Sequence, residues 1–371
     1  MAASPPAAGA RGQHAAWEQK RIPPVEQVRP GVWSLPTPMP DNPLRYVIAY
    51  GIATDDGLAL IDSGWLADES WAALRRAVTS IGYDIADVCD VLITHAHYDH
   101  HGLTRRLVEA SGARVHMHAA DAGWLDRLRS TAGDGPSGFA GWLAARGAPA
   151  AEIVTLSEQI SRSAMSSGFH TQLPPDVLVA DGDRPLKSRQ ELSAVWSPGH
   201  TDGHLCYYLE DQRLLFSGDH VLPRITPHVT RPPGEDDDVL GAYLASLRKV
   251  RTIHVDEVLP AHEYRFADLA ARVDSLLDHH AVRLHEIERA VVGGASTWDV
   301  ARAISWSRGW DATEGVMRQT ALSETYTHLR HLQDAGRVAR TLDDPDRWEC
   351  IEGTSRQDGS EQLAPLTQED P

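Results

Sequence analysis

His95, His97, Asp99 and His100 fall within one short stretch, Thr94-His95-Ala96-His97-Tyr98-Asp99-His100-His101-Gly102, directly after the apolar run Val91-Leu92-Ile93. Imidazole nitrogens and carboxylate oxygens bind divalent cations, so four of them at the exit of a buried strand predict a metal centre. Strand side chains alternate with a period of two, which lets His95 and His97 project to one side as the strand runs out. The turn toward Gly102 then carries Asp99 and His100 around a second point. One cluster of this kind can serve two metal ions.

Three further residues of metal-binding type each follow an apolar run of their own. His200 lies in Val195-Trp196-Ser197-Pro198-Gly199-His200, Asp219 in Leu214-Leu215-Phe216-Ser217-Gly218-Asp219, and His262 in Val258-Leu259-Pro260-Ala261-His262. Nitrogen and carboxylate ligation without thiolate suits zinc and is compatible with iron or manganese, since affinity alone does not select the metal. Two Zn2+ ions sharing a water bring its pKa toward neutrality and make a hydroxide available near neutral pH. That hydroxide can attack a carbonyl carbon or a phosphorus while the metals stabilise the oxyanion and the leaving group. Hydrolysis is the reaction these residue types predict.

In this order the motifs resemble the signature of the metallo-β-lactamase superfamily, His-x-His-x-Asp-His followed by a distant His, an Asp and a last His. The resemblance covers roughly residues 30 to 265. It implies that His95, His97 and His200 hold one metal, that Asp99, His100 and His262 hold a second, and that Asp219 bridges both. It further implies a catalytic role for Asp99, orienting the hydroxide and shuttling its proton. Asp62, in Leu60-Ile61-Asp62-Ser63-Gly64, matches the family's early Asp, which orients the histidine cluster from behind, and His204 resembles a second supporting partner. His97 stands where flavodiiron-type relatives carry an acid, and Asp219 where secreted β-lactamases usually carry Cys or Ser. The first difference disfavours redox iron chemistry, and the second points to the glyoxalase II-like and nuclease-like side of the superfamily.

Two β-rich halves must position these residues. Arg45 to Thr54 and Leu58 to Asp62 read as strands joined by a turn at Asp55-Asp56-Gly57, and Trp71, Leu74, Val78 and Ile81 recur at helical spacing. Strands are predicted again over 191–196, 206–209 and 213–216, followed by a helix over 236–250. Ligands at strand ends, with helices after each half, predict an α/β fold, an αββα sandwich over residues 25–265. Within it, residues 120–173 form a helical insertion. Its aromatic stripes, Trp124 with Leu125 and Leu128, then Phe139 with Trp142 and Leu143, predict a lid over an apolar pocket. Trp124, His170 on the lid's return, and Arg224 and His228 beyond Asp219 are the candidate substrate contacts.

After residue 265 the pattern turns helical, with helices predicted over 266–292, 298–304 and 317–335. A hairpin closes the series, turning at Asp343-Asp344-Pro345-Asp346, and residues 266–355 resemble the winged-helix-like C-terminal domain of lactamase-β-like hydrolases. The net charge is −17, and binders of polyanions gain affinity from a basic surface, so nucleic acid is disfavoured as a partner. The acidic hairpin points the same way, and the domain is expected to pack beside the metal site or against another subunit, as in a homodimer. No stretch reaches the roughly 18 apolar residues of a membrane span. Cys89, Cys206 and Cys350 lack disulfide or metal spacing, which fits a reducing, cytoplasmic setting. Residues 1–24, opening with an Ala-, Pro- and Gly-rich run, and the acidic residues 356–371 read as disordered tails.

The expected activity is dinuclear zinc hydrolysis of an acyl thioester, ester or lactone by a metal-bridging hydroxide. Its substrate would be a small acyl compound, carried on CoA or another thiol. A phosphodiesterase or endoribonuclease, or a β-lactam hydrolase, would use the same centre.

Overall fold

A computed structural model describes residues 3–130, 137–166, 172–186, 191–230, 237–291 and 293–351. The first half contains α1 (Arg11–Glu18), β1 (Glu26–Arg29), β2 (Val32–Pro38), β3 (Tyr46–Thr54), β4 (Gly57–Ile61), α2 (Asp68–Ser80) and β5 (Val88–Leu92). There follow α3 (Tyr98–His101), α4 (Thr104–Ser111), β6 (Arg114–Met117), α5 (Ala119–Ser130), α6 (Ser137–Ala145), α7 (Ala150–Ser166) and β7 (Val177–Leu178). The second half brings β8 (Leu192–Trp196), β9 (Leu205–Leu209), β10 (Leu214–Gly218), α8 (Val239–Arg251) and β11 (Glu257–Pro260). It ends with α9 (Leu269–Ala290), α10 (Thr297–Ala303), α11 (Val316–Asp334), β12 (Val338–Thr341) and β13 (Arg347–Cys350).

β1 to β7 form one sheet in chain order, antiparallel through β4 and parallel from β4 to β7. The second sheet runs β11-β10-β9-β8, with only the β10–β11 pair parallel. Parallel neighbours need crossover connections, and α2, α3 with α4, the insertion helices and α8 supply them. Alternation along β3 sends Tyr46, Ile48, Tyr50 and Ile52 into the space between the sheets, against Tyr207, Leu209, Leu214 and Phe216. The outer face of the first sheet packs Ala49, Leu58, Leu60 and Val91 on Leu74 and Val78 of α2 and Leu107 of α4. Behind the second sheet, Cys206, Leu215 and Val258 meet Leu240, Tyr243 and Leu247 of α8. The result is helix, sheet, sheet, helix. Strands buried on both faces read as nearly unbroken apolar runs.

The N-terminal segment departs from expectation. Residues read as a disordered tail instead form α1, anchored by the buried Gln13, whose side chain accepts from Arg265 N–H at 2.7 Å. Pro6 bridges Phe266, and Trp17 packs edge-on against Tyr264. The small residues that suggest disorder in isolation permit this close approach: a Cβ on Gly12 would lie 2.8 Å from Glu26 Oε1.

The insertion also differs from the lid the aromatic stripes suggested. Trp142, Leu143 and Leu156 belong to the same core as the C-terminal helices, and Trp142 meets Tyr326 of α11 edge-on at 5.8 Å. Arg146 follows α6 and reaches Asp346 at 2.8 Å, both residues buried, while its guanidinium lies 4.2 Å over Tyr326. Asp346 N–H donates to Ala145 O, and Trp298 N–H to Arg146 O. The aspartate expected at an exposed acidic turn is instead the clasp between insertion and C-terminal helices. The acidic segment 356–371 lies outside the described residues.

Removing one partner of a buried ion pair leaves an uncompensated charge and costs about 3–5 kcal/mol. Asp346→Ala should lower the free energy of unfolding by that order in a denaturant titration. A loss below about 1 kcal/mol, typical of exposed pairs, would mean that the clasp contributes little.

Candidate metal centre

Every sequence-named ligand sits where a strand gives way to a loop. His95 and His97 follow β5, Asp99 and His100 occupy α3, His200 lies between β8 and β9, Asp219 follows β10, and His262 follows β11. The structure brings all seven together. His95 Nε2, His97 Nδ1 and His200 Nε2 lie 2.9, 3.0 and 3.2 Å from one another. Asp99 Oδ2 lies 3.3 Å from His262 Nε2 and 3.7 Å from His100 Nε2. Asp219 stands between the groups, with Oδ1 at 3.4 Å from His262 Nε2 and 3.6 Å from His100 Nε2, and Oδ2 at 3.6 Å from His200 Nε2.

These atoms fit divalent cations. Zinc–nitrogen bonds of about 2.0–2.1 Å in tetrahedral geometry place ligand atoms about 3.3 Å apart, close to the spacings seen. His100 Nε2, Asp219 Oδ1 and His262 Nε2 are also buried without a hydrogen-bond partner among the described residues. Such orphans are costly unless something else satisfies them. His95 with His97 and His200, and Asp99 with His100 and His262, are the two sets that could each hold an ion, with Asp219 reaching both.

Hydrogen bonds at the far ring nitrogens fix which nitrogen faces the centre. His100 Nδ1 donates to Asp62 Oδ2 at 2.7 Å, His200 Nδ1 to His228 O at 2.7 Å, and His262 Nδ1 to Tyr46 O at 3.3 Å. His95 Nδ1 donates to Thr94 Oγ1, which donates on to Asp62 Oδ2 at 2.9 Å. Asp62 therefore orients one ring from each set, and it does so from a left-handed φ of 62°, a conformation uncommon outside Gly that Asp and Asn adopt more readily than other residues. His204 is fully buried, and its Nε2 accepts from Asp219 N–H at 3.2 Å. Gly218 is required at this turn: its φ is +49°, and a Cβ there would lie 2.7 Å from His204 Nε2.

Burial disfavours charge on every ring here. It holds the pKa of His95 far below the usual imidazole range and that of His97 at about 3. In the second set burial is outweighed: Asp219 and Asp99 lift His262 to about 10, and Asp99 and Asp219 raise His100 as well. Without metal these two rings keep protons where a cation would sit. Cation uptake must expel them, so it tightens as pH rises.

The remaining candidates are placed differently. Trp124 is half-buried against the core outside the first sheet, a packing position. Arg224 stacks on Trp17 at 4.3 Å. His228 contributes its carbonyl to His200, and its ring, on an exposed residue, lies near enough to the site that its pKa is lowered by burial and by His200, with Asp219 opposing. His170 lies outside the described residues. Sequence reasoning missed Glu263 and Arg272, which hold the loop joining Asp219 to His228. Glu263 Oε2 accepts from Arg224 N–H at 3.1 Å, and the buried Arg272 donates to Leu222 O at 2.6 Å and Ile225 O at 2.8 Å. An acid beside His262 was the available signal for the first. Arg272 had none, lying inside an amphipathic helix.

Comparison with known proteins identifies the family. Residues 43–262 match the family model of the metallo-beta-lactamase superfamily, and the chain belongs to that superfamily. It is a hydrolase of that class. It is 25% identical over 279 residues to the lactamase-like protein adaB of Aspergillus niger, an alignment covering 73% of this chain and 67% of that protein. It is 28% identical over 189 residues to the atrochrysone carboxyl ACP thioesterase dmxR1 of Cryptosporiopsis sp. (strain 8999), covering 47% of this chain and 56% of that protein. Its fold resembles that of a metallo-beta-lactamase family protein from Thermus thermophilus, with a TM-score of 0.71, 24% identity, and coverage of 88% of this chain and 100% of the other.

His204→Phe removes the acceptor for Asp219 N–H while keeping ring volume. Loss of such an outer partner typically costs 10–100-fold in metal affinity, and chelator competition should register a drop of about that size. Unchanged affinity would reduce His204 to a packing residue.

Proposed function

We propose that this chain is a dinuclear metal-dependent thioesterase acting on a small acyl group carried by a thiol such as an acyl carrier protein or CoA. The observation that carries the hydrolytic part is Asp219, whose two oxygens face separate clusters of ligand atoms. Support for the thioester comes from several relatives named as atrochrysone carboxyl ACP thioesterases. In this reading His95, His97 and His200 hold one ion, Asp99, His100 and His262 the other, and Asp219 both, with zinc the metal that the nitrogen and carboxylate donors suit.

Two bound ions would supply a hydroxide nucleophile near neutral pH and positive charge for the developing oxyanion. The residues of the chain do the rest. His97 and Asp99 are partly exposed while His95, His100, His200, Asp219 and His262 are buried, so the acyl carbonyl approaches past His97 and Asp99. Asp99 Oδ2 is the oxygen nearest His262, and the other oxygen takes the proton that the attacking hydroxide brings to the tetrahedral adduct and passes it to the departing thiolate sulfur, leaving a carboxylate and a thiol. Tyr98, packed edge-on against Trp65 at 4.5 Å, offers an apolar wall beside that approach.

The three C-terminal helices and the β12–β13 hairpin are read as winged-helix-like, without a nucleic-acid role. α11, the helix such a domain would present to a groove, buries Leu322, Tyr326, Leu329 and Leu332 among its neighbours. Arg318 on it is paired with Glu152. The function of a fold rests on its surfaces rather than its class.

A panel of acyl thioesters, esters, lactones, nitrocefin and a phosphodiester tests the assignment. The thioesters should be turned over fastest, and His97→Ala and Asp219→Ala should each reduce the rate by more than about 100-fold, beyond the usual cost of losing an outer partner. Metal-dependent cleavage of the phosphodiester alone would overturn the thioesterase reading.

A further inference from the structure

Both ends of the helical insertion grip one residue of the metal loop through the two peptide groups that flank it. Ala96 lies between His95 and His97, and its N–H donates to Asp121 Oδ2 at 2.8 Å while its carbonyl accepts from Gln172 Nε2 at 2.9 Å. Asp121, in the first turn of α5, also accepts from Thr201 Oγ1 at 2.9 Å and from Gly203 N–H at 2.7 Å. Thr201 follows His200 directly. One carboxylate therefore ties the loop carrying His95 and His97 to the loop carrying His200. The fit is tight, since a Cβ on Gly203 would lie 2.6 Å from Asp121 Oδ1.

Asp121 is buried, and among the described residues no cation pairs with it. Burying a carboxylate without a cation is expensive, and hydrogen bonds from neighbouring groups must hold it. A first-turn acid commonly complements its own helix terminus. Here the oxygens are directed instead to two loops from opposite halves of the chain, each of which carries ligands to the site.

We propose that Asp121 is a positioning residue that sets the spacing of His95, His97 and His200, and so selectively supports the metal those three would hold. This rests on the two-cluster reading of the site. Ring nitrogens from separate loops bind a cation tightly only when their spacing is fixed before it arrives. Asp121 supplies that spacing from the insertion, and Gln172 secures the next peptide group, on the His97 side of Ala96. The second set, Asp99, His100 and His262, shares none of these bonds and is oriented through Asp62 and Tyr46.

The test is a cycle of Zn2+ affinities in the full chain, measured by chelator competition after metal stripping. His262→Ala isolates the first set and His97→Ala the second. Asp121→Asn keeps the shape but turns an amide donor toward N–H groups, and in the His262→Ala background it should weaken Zn2+ by about 10–100-fold. In the His97→Ala background it should change affinity by no more than about twofold, because none of the bonds Asp121 makes reaches Asp99, His100 or His262. Thermal unfolding in chelator checks that each variant is folded. Should Asp121→Asn fail to fold, Thr201→Val removes one of the three bonds and should show the same selectivity at up to about tenfold. Equal weakening in both backgrounds would make Asp121 merely structural, and no weakening in either would also overturn the proposal. A parent chain that takes up no Zn2+ at all would instead sink the two-cluster reading beneath it.

Discussion

Seven buried or half-buried ligand residues crowd one point of this molecule, and protein hydrogen bonds alone cannot satisfy them. Three ring nitrogens approach within 3.2 Å of each other, and His100 Nε2, His262 Nε2 and Asp219 Oδ1 are buried without partners among the described residues. Two divalent cations, held as proposed, would resolve this frustration. Much of the surrounding structure can be understood as holding the crowd in place until they bind. Asp62, in a left-handed conformation, orients His100 directly and His95 through Thr94, and His204 holds the Asp219 amide.

The two sheets deliver the ligands because their strands end together at one edge of the sandwich. Their apolar registers are fixed by burial on both faces, so a slip of one residue would turn an entire strand inside out. The loops beyond the strand ends have no such protection, and each is fastened individually. Tyr46 and Tyr50 donate to the carbonyls of Glu263 and Pro260 at the exit of β11. Arg272 reaches from α9 to the loop after Asp219. The C-terminal helices thereby touch the site through its supports, while Arg146 and Asp346 fasten them to the insertion.

What could be read from the sequence follows from these same constraints. The ligand residues were legible because each ends an apolar run long enough to be a buried strand. Asp62 and His204 were found by resemblance, and their hydrogen bonds supply the physical reason. The strands β6 and β7 escaped notice because they are four and two residues long, too short for a period to register. Asp121, Gln172 and Arg272 carry no local signal at all, since their partners lie far away in the chain. Composition misled at two places: an Ala- and Gly-rich start concealed a packed helix, and an acidic turn concealed the buried Asp346. In each case a long-range ion pair or hydrogen bond decided the outcome, and no window of sequence contains both partners.

The central claim is that the crowded donors form two cation sites bridged by Asp219. Elemental analysis of the purified, hydrolytically active chain tests it most directly. Two divalent ions per chain, with turnover lost on chelation and regained on adding metal back, is the predicted result. A single ion per chain in a fully active preparation would contradict it.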